Sequence, residues 1–249
     1  MTNLQEEGIT HHLQELHPNL HSKKLKCFIY GGLDGIITTF AIISSCYGAG
    51  MGIKAILILG LSNVMADALS MGLGEFISSD LERDYIKSEL IKENYEYENN
   101  LEEEKRELSL ILSNKDNINV EDSNKIVNIY SKYKNPFLEL MLKKELDLEL
   151  PEDRKDIIIG AKSTFTSFVM FGLIPLIPYL IMFISGKSDT NELLFLISYF
   201  CSILSVILLG YMYIKRTKQS IFYLFKFAIS ATLAAGAAFI IGYSLESLL

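Results

Sequence analysis

Four glutamates, Glu93, Glu96, Glu104 and Glu107, are spaced three, eight and three residues apart, as two ExxE pairs. At about 100° per residue they fall within an arc of roughly 80° if one helix carries all four. A turn at Asn99-Asn100 would instead fold one pair back against the other. Either geometry gathers carboxylates that repel at neutral pH unless cations sit among them or some acids hold their protons. Taken by spacing alone, a solvated glutamate face fits better, because Glu89 also lies within the arc and Glu103 just beyond it. Met141 and Glu145, one helical turn apart further along, add a thioether and a fifth carboxylate. Carboxylates alone suit Ca²⁺ or Mg²⁺, whereas a thioether beside them favours a softer ion such as Fe²⁺ or Co²⁺. Met141 alone reads equally as core filling between Leu138 and Leu142.

A second group of acids lies in apolar sequence. Asp34 sits in Gly31-Gly32-Leu33-Asp34-Gly35, and Asn63, Asp67, Met71 and Glu75 follow one another at i+4 along a later apolar run. An ionisable side chain near a bilayer centre costs about 2.5–3.5 kcal/mol, so acids there need a partner or a task. In antiparallel neighbouring helices Asp34 and Met71 lie about 10 and 13 Å from the same membrane face, so they can meet at one depth. Gly31, Gly35, Gly72 and Gly74 would let the backbones approach closely there. The plainer alternative makes Glu75 interfacial and bonds Asp34 to a neighbouring hydroxyl such as Thr38. No Arg or Lys within the apolar runs is placed to neutralise three acids, which suggests a route for cations, or for protons alternating with them.

The elements that must position these residues follow from where charge is missing. The whole chain is 49% hydrophobic and 21% charged, close to a soluble average, yet residues 81–156 hold 20 of the 30 acids and 13 of the 23 bases and so carry the entire net charge of −7. Elsewhere uncharged runs occupy 35–53, 163–186, 193–214 and 227–245, each near the roughly 20 residues that cross a hydrocarbon core. With the acid-bearing run that follows Lys54, five membrane spans are predicted. The fold class is an all-α membrane protein with a helical insertion between helices two and three. The boundaries are a tail at 1–26, helices one and two at 27–79, the insertion at 80–156, and helices three to five at 157–249. Basic residues cluster at 22–26, in the insertion up to Lys162, and at Lys215, Arg216 and Lys218, while the other ends offer only Lys54 and Lys187. The positive-inside rule therefore puts the N-terminus and insertion in the cytosol and the C-terminus in a lumen or outside. Within the insertion, 81–112 is helix-forming with a break at Asn99-Asn100, a polar loop covers 113–124, a weaker helix covers 124–134, and a third helix begins near Pro136 and stops before Pro151. In the third span, Pro175 and Pro178 should kink the helix.

Several classes are excluded. Cys27, Cys46 and Cys201 are odd in number and far apart, so neither a disulfide framework nor a CxxC site is available, and they read as packing residues. All four histidines precede residue 22, so a bundle-type di-iron oxidase, which needs Glu-x-x-His pairs on core helices, is disfavoured. The polar N-terminal segment holds no signal-peptide run. An enzyme is not expected, nor is a permanent cofactor or a nucleic-acid partner.

The GGLDG of helix one, SMGLGEFIS ending helix two, the ExxE…ExxE insertion, LELMLKKELDL and LIPLIPYL come in an order and spacing that resemble the vacuolar iron transporters over about residues 27–249. The resemblance implies five transmembrane helices, a homodimer with its ion path at the subunit interface, and exchange of cytosolic Fe²⁺ for protons across a vacuolar or other endomembrane. It implies a cytosolic metal-binding domain using Glu93, Glu96, Glu104, Glu107, Met141 and Glu145, and a membrane path using Asp34, Met71 and Glu75. Asp67 departs from the pattern, where a small residue is usual, and is a candidate proton site or modifier of ion preference. The expected activity is a proton-coupled Fe²⁺ antiporter, with Mn²⁺, Co²⁺ and Zn²⁺ as further candidate ions. The alternatives are an Mn²⁺ or Ca²⁺ transporter, or a membrane-anchored metal sensor or buffer.

Overall fold

The structure is a computed structural model that describes residues 19–186, 192–217 and 222–248; His11, His12, His17, Lys187 and Lys218 lie outside them. The described residues form helices α1 (Asn19–Gly48), α2 (Ile53–Asn99), α3 (Leu101–Lys115), α4 (Val120–Tyr130), α5 (Lys134–Lys144), α6 (Arg154–Gly172), a 3₁₀ turn (Ile174–Leu176), α7 (Ile177–Ile184), α8 (Glu192–Thr217) and α9 (Phe222–Leu248). No strand occurs among them. The chain divides into two compact units, one of residues 1–76 and 158–249 and the other of residues 77–157.

The first unit has five helices long and apolar enough to cross a membrane, running within Lys24–Gly48, Ile53–Asn99, Arg154–Ile184, Glu192–Lys215 and Phe225–Leu248. Its burial is inverted relative to a soluble protein. Large apolar side chains such as Ile58, Leu73, Met170, Phe200, Leu204 and Leu233 face outward, while Ser198 and Ser202 are buried. In water such an exterior would drive aggregation; in hydrocarbon it costs nothing, and small residues inside let helices pack closely. The buried serines satisfy their hydroxyls on backbone: Ser202 donates to Ser198 O at 2.8 Å and Ser198 to Pro175 O at 2.7 Å. That second bond links α8 to the point where the third span breaks. Pro175 and Pro178 lack amide donors, so the helix ends at Gly172, tightens through the 3₁₀ turn, and resumes as α7.

Helix α1 lies at the centre, packed on α8 and α9. Two of its contacts require glycine. A Cβ on Gly35 would stand 2.5 Å from Phe168 O of α6, and one on α9's Gly242 would stand 2.2 Å from Ser45 O of α1. The core between these helices holds Ile36, Phe40, Ile43, Val64, Ala68, Phe168, Tyr179, Val206 and Leu209.

The second unit is built on the last turns of α2 with α3, α4 and α5. Leu108, Leu112, Val127, Phe137 and Met141 form its apolar core, with Tyr97 against them. The Tyr97 ring packs at a tilt against Phe137, centroids 5.4 Å apart, and its hydroxyl donates to Ser131 O at 2.9 Å, which ties α2 to α5 and to the end of α4. Asn119 caps α4 by accepting from the Asp122 amide at 2.8 Å. Because that cap stands at 119, α4 starts four residues earlier than its weak sequence pattern suggests. Helix α2 itself continues through Ser78-Ser79-Asp80 without interruption, since no proline occurs from Ile53 to Asn99 to break it.

Candidate functional site

The turn at Asn100 sets the geometry of the insertion's carboxylates. Its amide closes the end of α2 on Glu96 O at 2.7 Å, and its carbonyl accepts from the amides of Glu103 and Glu104 at the start of α3. One residue thus ends one helix and begins the next, so the first ExxE pair, on the last two turns of α2, meets the second on the first two turns of α3. Carboxylate oxygens of Glu93, Glu96 and Glu104 all lie within 4.8 Å of one another. Glu93 and Glu104 are only 5% and 6% exposed, which removes the solvent that would otherwise screen them. Glu96 is half-buried.

Glu107 and Glu145 complete the group electrostatically, since the charge of each acts on both Glu93 and Glu104. Glu107 is exposed on α3, and Glu145 is half-buried where α5 ends. Burial, followed by repulsion from Glu145, Glu104, Glu96 and Glu107, pushes the Glu93 carboxyl up to about 7. Burial, then repulsion led by Glu96 and Glu107, brings Glu104 up to about 7. Glu145 is raised by the same causes, with Lys115 pulling the other way. Among the described residues no lysine or arginine is ion-paired with any of these five acids. The nearby cations are engaged outward: Lys92 pairs with Glu89 at 2.7 Å and Lys105 with Glu102 at 2.6 Å. Glu89, which the spacing alone placed in the same arc, is thereby accounted for as a surface ion pair. One oxygen of Glu93, Oε2, is buried with no hydrogen-bond partner at all. An unneutralised carboxylate group with an unsatisfied buried oxygen can hold either protons or a cation, and hard or borderline divalent ions take such oxygen donors.

Met141 is fully buried among Leu108, Leu112, Val127 and Phe137, one turn before Glu145, whose amide bonds to its carbonyl at 2.9 Å. The thioether serves the apolar core of the insertion.

In the membrane unit, the acids of α1 and α2 pair in antiparallel register. Cys27 Sγ donates to Glu75 Oε1 at 3.5 Å, and the charges of Asp34 and Asp67 act on one another. The residue numbers in these two pairs sum to nearly the same value, as an antiparallel crossing requires, so Asp34 lies at the depth of Asp67. Met71 is about one turn, roughly 5 Å, nearer Glu75, and packs half-buried against the core. Asn63 donates to Asp67 Oδ2. The Thr38 hydroxyl bonds to the backbone carbonyl of Asp34 at 2.8 Å and not to its carboxylate. Among the described residues the Asp34 side chain has no hydrogen-bond or ion-pair partner.

Cys27 is the residue that sequence reasoning passed over. Its seven-residue spacing from Asp34 puts both on one face of α1 and could have flagged it. Gly160 of α6 borders the site: a Cβ there would make ordinary contact, 3.6 Å from Cys27 Sγ and 3.8 Å from Glu75 Oε1.

A family model described as the VIT family matches residues 25–243. A vacuolar iron transporter of Toxoplasma gondii is 35% identical over 95% of this chain and 78% of its own length. One of Plasmodium falciparum is 36% identical over 87% of this chain and 77% of its own. Vacuolar iron transporter 2 of rice is 29% identical over 88% and 87%. With a family model spanning most of its length, five membrane-crossing helices and a separate acid-lined helical unit, the chain belongs to the VIT family.

Proposed function

We propose that the protein moves Fe²⁺ from the cytosol into a vacuole-like lumen in exchange for protons. The observation that carries this reading is the unneutralised Glu93, Glu96 and Glu104 triad, two of whose members are buried and titrate near neutrality. The relatives' shared description as vacuolar iron transporters supports iron as the cargo. The insertion faces the cytosol, as its basic flanks favour, and the triad, with Glu107 and Glu145 adding field, captures the ion and releases protons as it binds. The ion then passes Glu75, Met71 and the Asp34 and Asp67 pair. Each of these lies on the half-buried flank of α2 or α1, next to an exposed strip of small residues at Ser62, Ala66, Ser70 and Gly74. A second copy packed on that strip would enclose the route, so the working form is a homodimer. Protonation of Asp34 and Asp67 from an acidic lumen discharges the ion and supplies the returning protons.

One observation favours a second reading. The triad is all oxygen, and Met141 packs into the apolar core, a donor set that also suits Mn²⁺. Uptake by purified protein in liposomes, measured for Fe²⁺ in competition with Mn²⁺, Co²⁺ and Ca²⁺, tests both. Joint replacement of Glu93, Glu96, Glu104 and Glu107 by Ala is expected to lower uptake at scarce metal and to spare it at saturating metal. Absence of uptake under any gradient would refute transport and leave a sensor or buffer.

A further inference from the structure

Within the membrane unit, α2 has a flank that the ion route does not use. Asn63, Asp67, Met71 and Glu75 occupy one side, while Leu69, Gly72, Leu73 and Phe76 centre roughly half a turn away on the other. There α2 and α6 enclose an open groove of about 220 Å³, walled by Leu69, Leu73 and Phe76 with Ile158 and Phe165 opposite. Gly72 makes its floor: a Cβ at that position would stand 3.0 Å from Phe165 Cβ, so a larger residue would push the two helices a few tenths of an ångström apart.

One charge borders this apolar channel. Lys162 lines it, is exposed, and makes no ion pair among the described residues. The two helices run antiparallel, so Phe76 and Ile158 mark the end from which α6 starts, and Leu69 and Phe165 lie about 10 Å deeper. Lys162 is one turn inside Ile158, within reach for its ammonium to snorkel back to the interface. A cation at the mouth and hydrocarbon walls beneath it are complementary to a single kind of occupant. A second copy of the chain would have to cover Lys162 with apolar surface and leave its charge uncompensated.

We propose that this groove is a phospholipid site, with one acyl chain lying against Gly72 between α2 and α6 and an anionic headgroup paired with Lys162. The chain contains no tryptophan, so Phe76→Trp places a single indole in the groove. The variant is reconstituted in phosphatidylcholine bilayers doped with brominated phosphatidylglycerol or, in parallel, brominated phosphatidylcholine at the same low fraction. Quenching should report occupancy by the anionic lipid about fivefold above its share of the bilayer, the preference one lysine at the surface confers. Adding Lys162→Gln should make the two lipids equal, and Phe183→Trp, on the exposed face of α7, should show no preference in either background. If Phe76→Trp does not fold, Ile158→Trp reports from the opposite wall. Equal quenching by both lipids, a preference that survives Lys162→Gln, or an indole that neither lipid quenches would each overturn the proposal; the last would mean that protein covers the groove.

Discussion

Replacing Glu93 by Gln should change how many protons a metal ion displaces, and by an amount the insertion's electrostatics fixes in advance. Glu93 and Glu104 both titrate at about 7. Treated as independent, they are both ionised in about a quarter of molecules at pH 7 and about 1% at pH 6, so apparent affinity falls about 30-fold over that unit. Binding at pH 7 releases about one proton per ion, half from each group. In Glu93→Gln, Glu104 loses one repelling neighbour and titrates lower. The fall in affinity from pH 7 to 6 then shrinks to about fivefold or less, and the release to half a proton or less. Calorimetric titration of the full-length protein with Co²⁺, a redox-stable stand-in for Fe²⁺, in two buffers of different ionisation enthalpy counts these protons directly. A heat that does not depend on buffer, or an affinity unchanged between pH 7 and 6, would refute the assignment of these two glutamates to the binding site.

The same shifts fix a stability trend. An acid whose folded pKa lies above its ordinary 4.5 holds an extra proton in the fold, so metal-free stability falls as pH rises from about 4.5 to about 7, and the loss, up to about 3 kcal/mol per group, is complete above that. Glu93→Gln should therefore raise the thermal midpoint of metal-free protein at pH 8 and leave it unchanged at pH 4; an equal effect at both would point to packing. Gly242→Ala puts a Cβ 2.2 Å from Ser45 O, so it should force α1 and α9 apart and cut the yield of folded protein in detergent, as size-exclusion profiles would show. Met141→Leu conserves core volume and should cost under about 1.5 kcal/mol, whereas Met141→Ala should cost about 2–5 kcal/mol. If the thioether only packs, Met141→Leu leaves Co²⁺ affinity in place, and a tenfold loss would make the sulfur a ligand.

The fold's legibility in the sequence depended on which forces act locally. Five charge-free or charge-poor runs announce five spans because hydrocarbon admits few alternatives to an apolar helix. Asn99-Asn100 was legible as a break because nothing else from 81 to 112 interrupts a run of helix formers, and the structure turns the chain there. Pro175 and Pro178 were legible as a distortion through their missing donors. The site was legible only as alternatives. Spacing could not separate a gathered group from a solvated face, because the outcome depends on which lysines pair with which glutamates. In the fold Lys92 and Lys105 turn away, toward Glu89 and Glu102. Nor could spacing show that Met141 sits in an apolar core, that Asp34 lies at the depth of Asp67, or that Cys27 reaches Glu75, since each rests on contacts between segments far apart in sequence. The start of α1 at Asn19, eight residues before the predicted Cys27, shows the converse: helix formers such as Leu25 and the neighbouring lysines carry a membrane helix out past its apolar segment.

In the proposed cycle, carboxylates of the membrane unit exchange a divalent ion for protons. Purified protein reconstituted in liposomes with an acidic interior, a pH-sensitive dye inside and Fe²⁺ supplied outside under reducing conditions measures both fluxes at once. Metal entry should be accompanied by alkalinisation of the interior, both abolished by Asp34→Asn in protein that still binds metal at the insertion. Metal entry with no change in internal pH, or normal flux through Asp34→Asn, would contradict it.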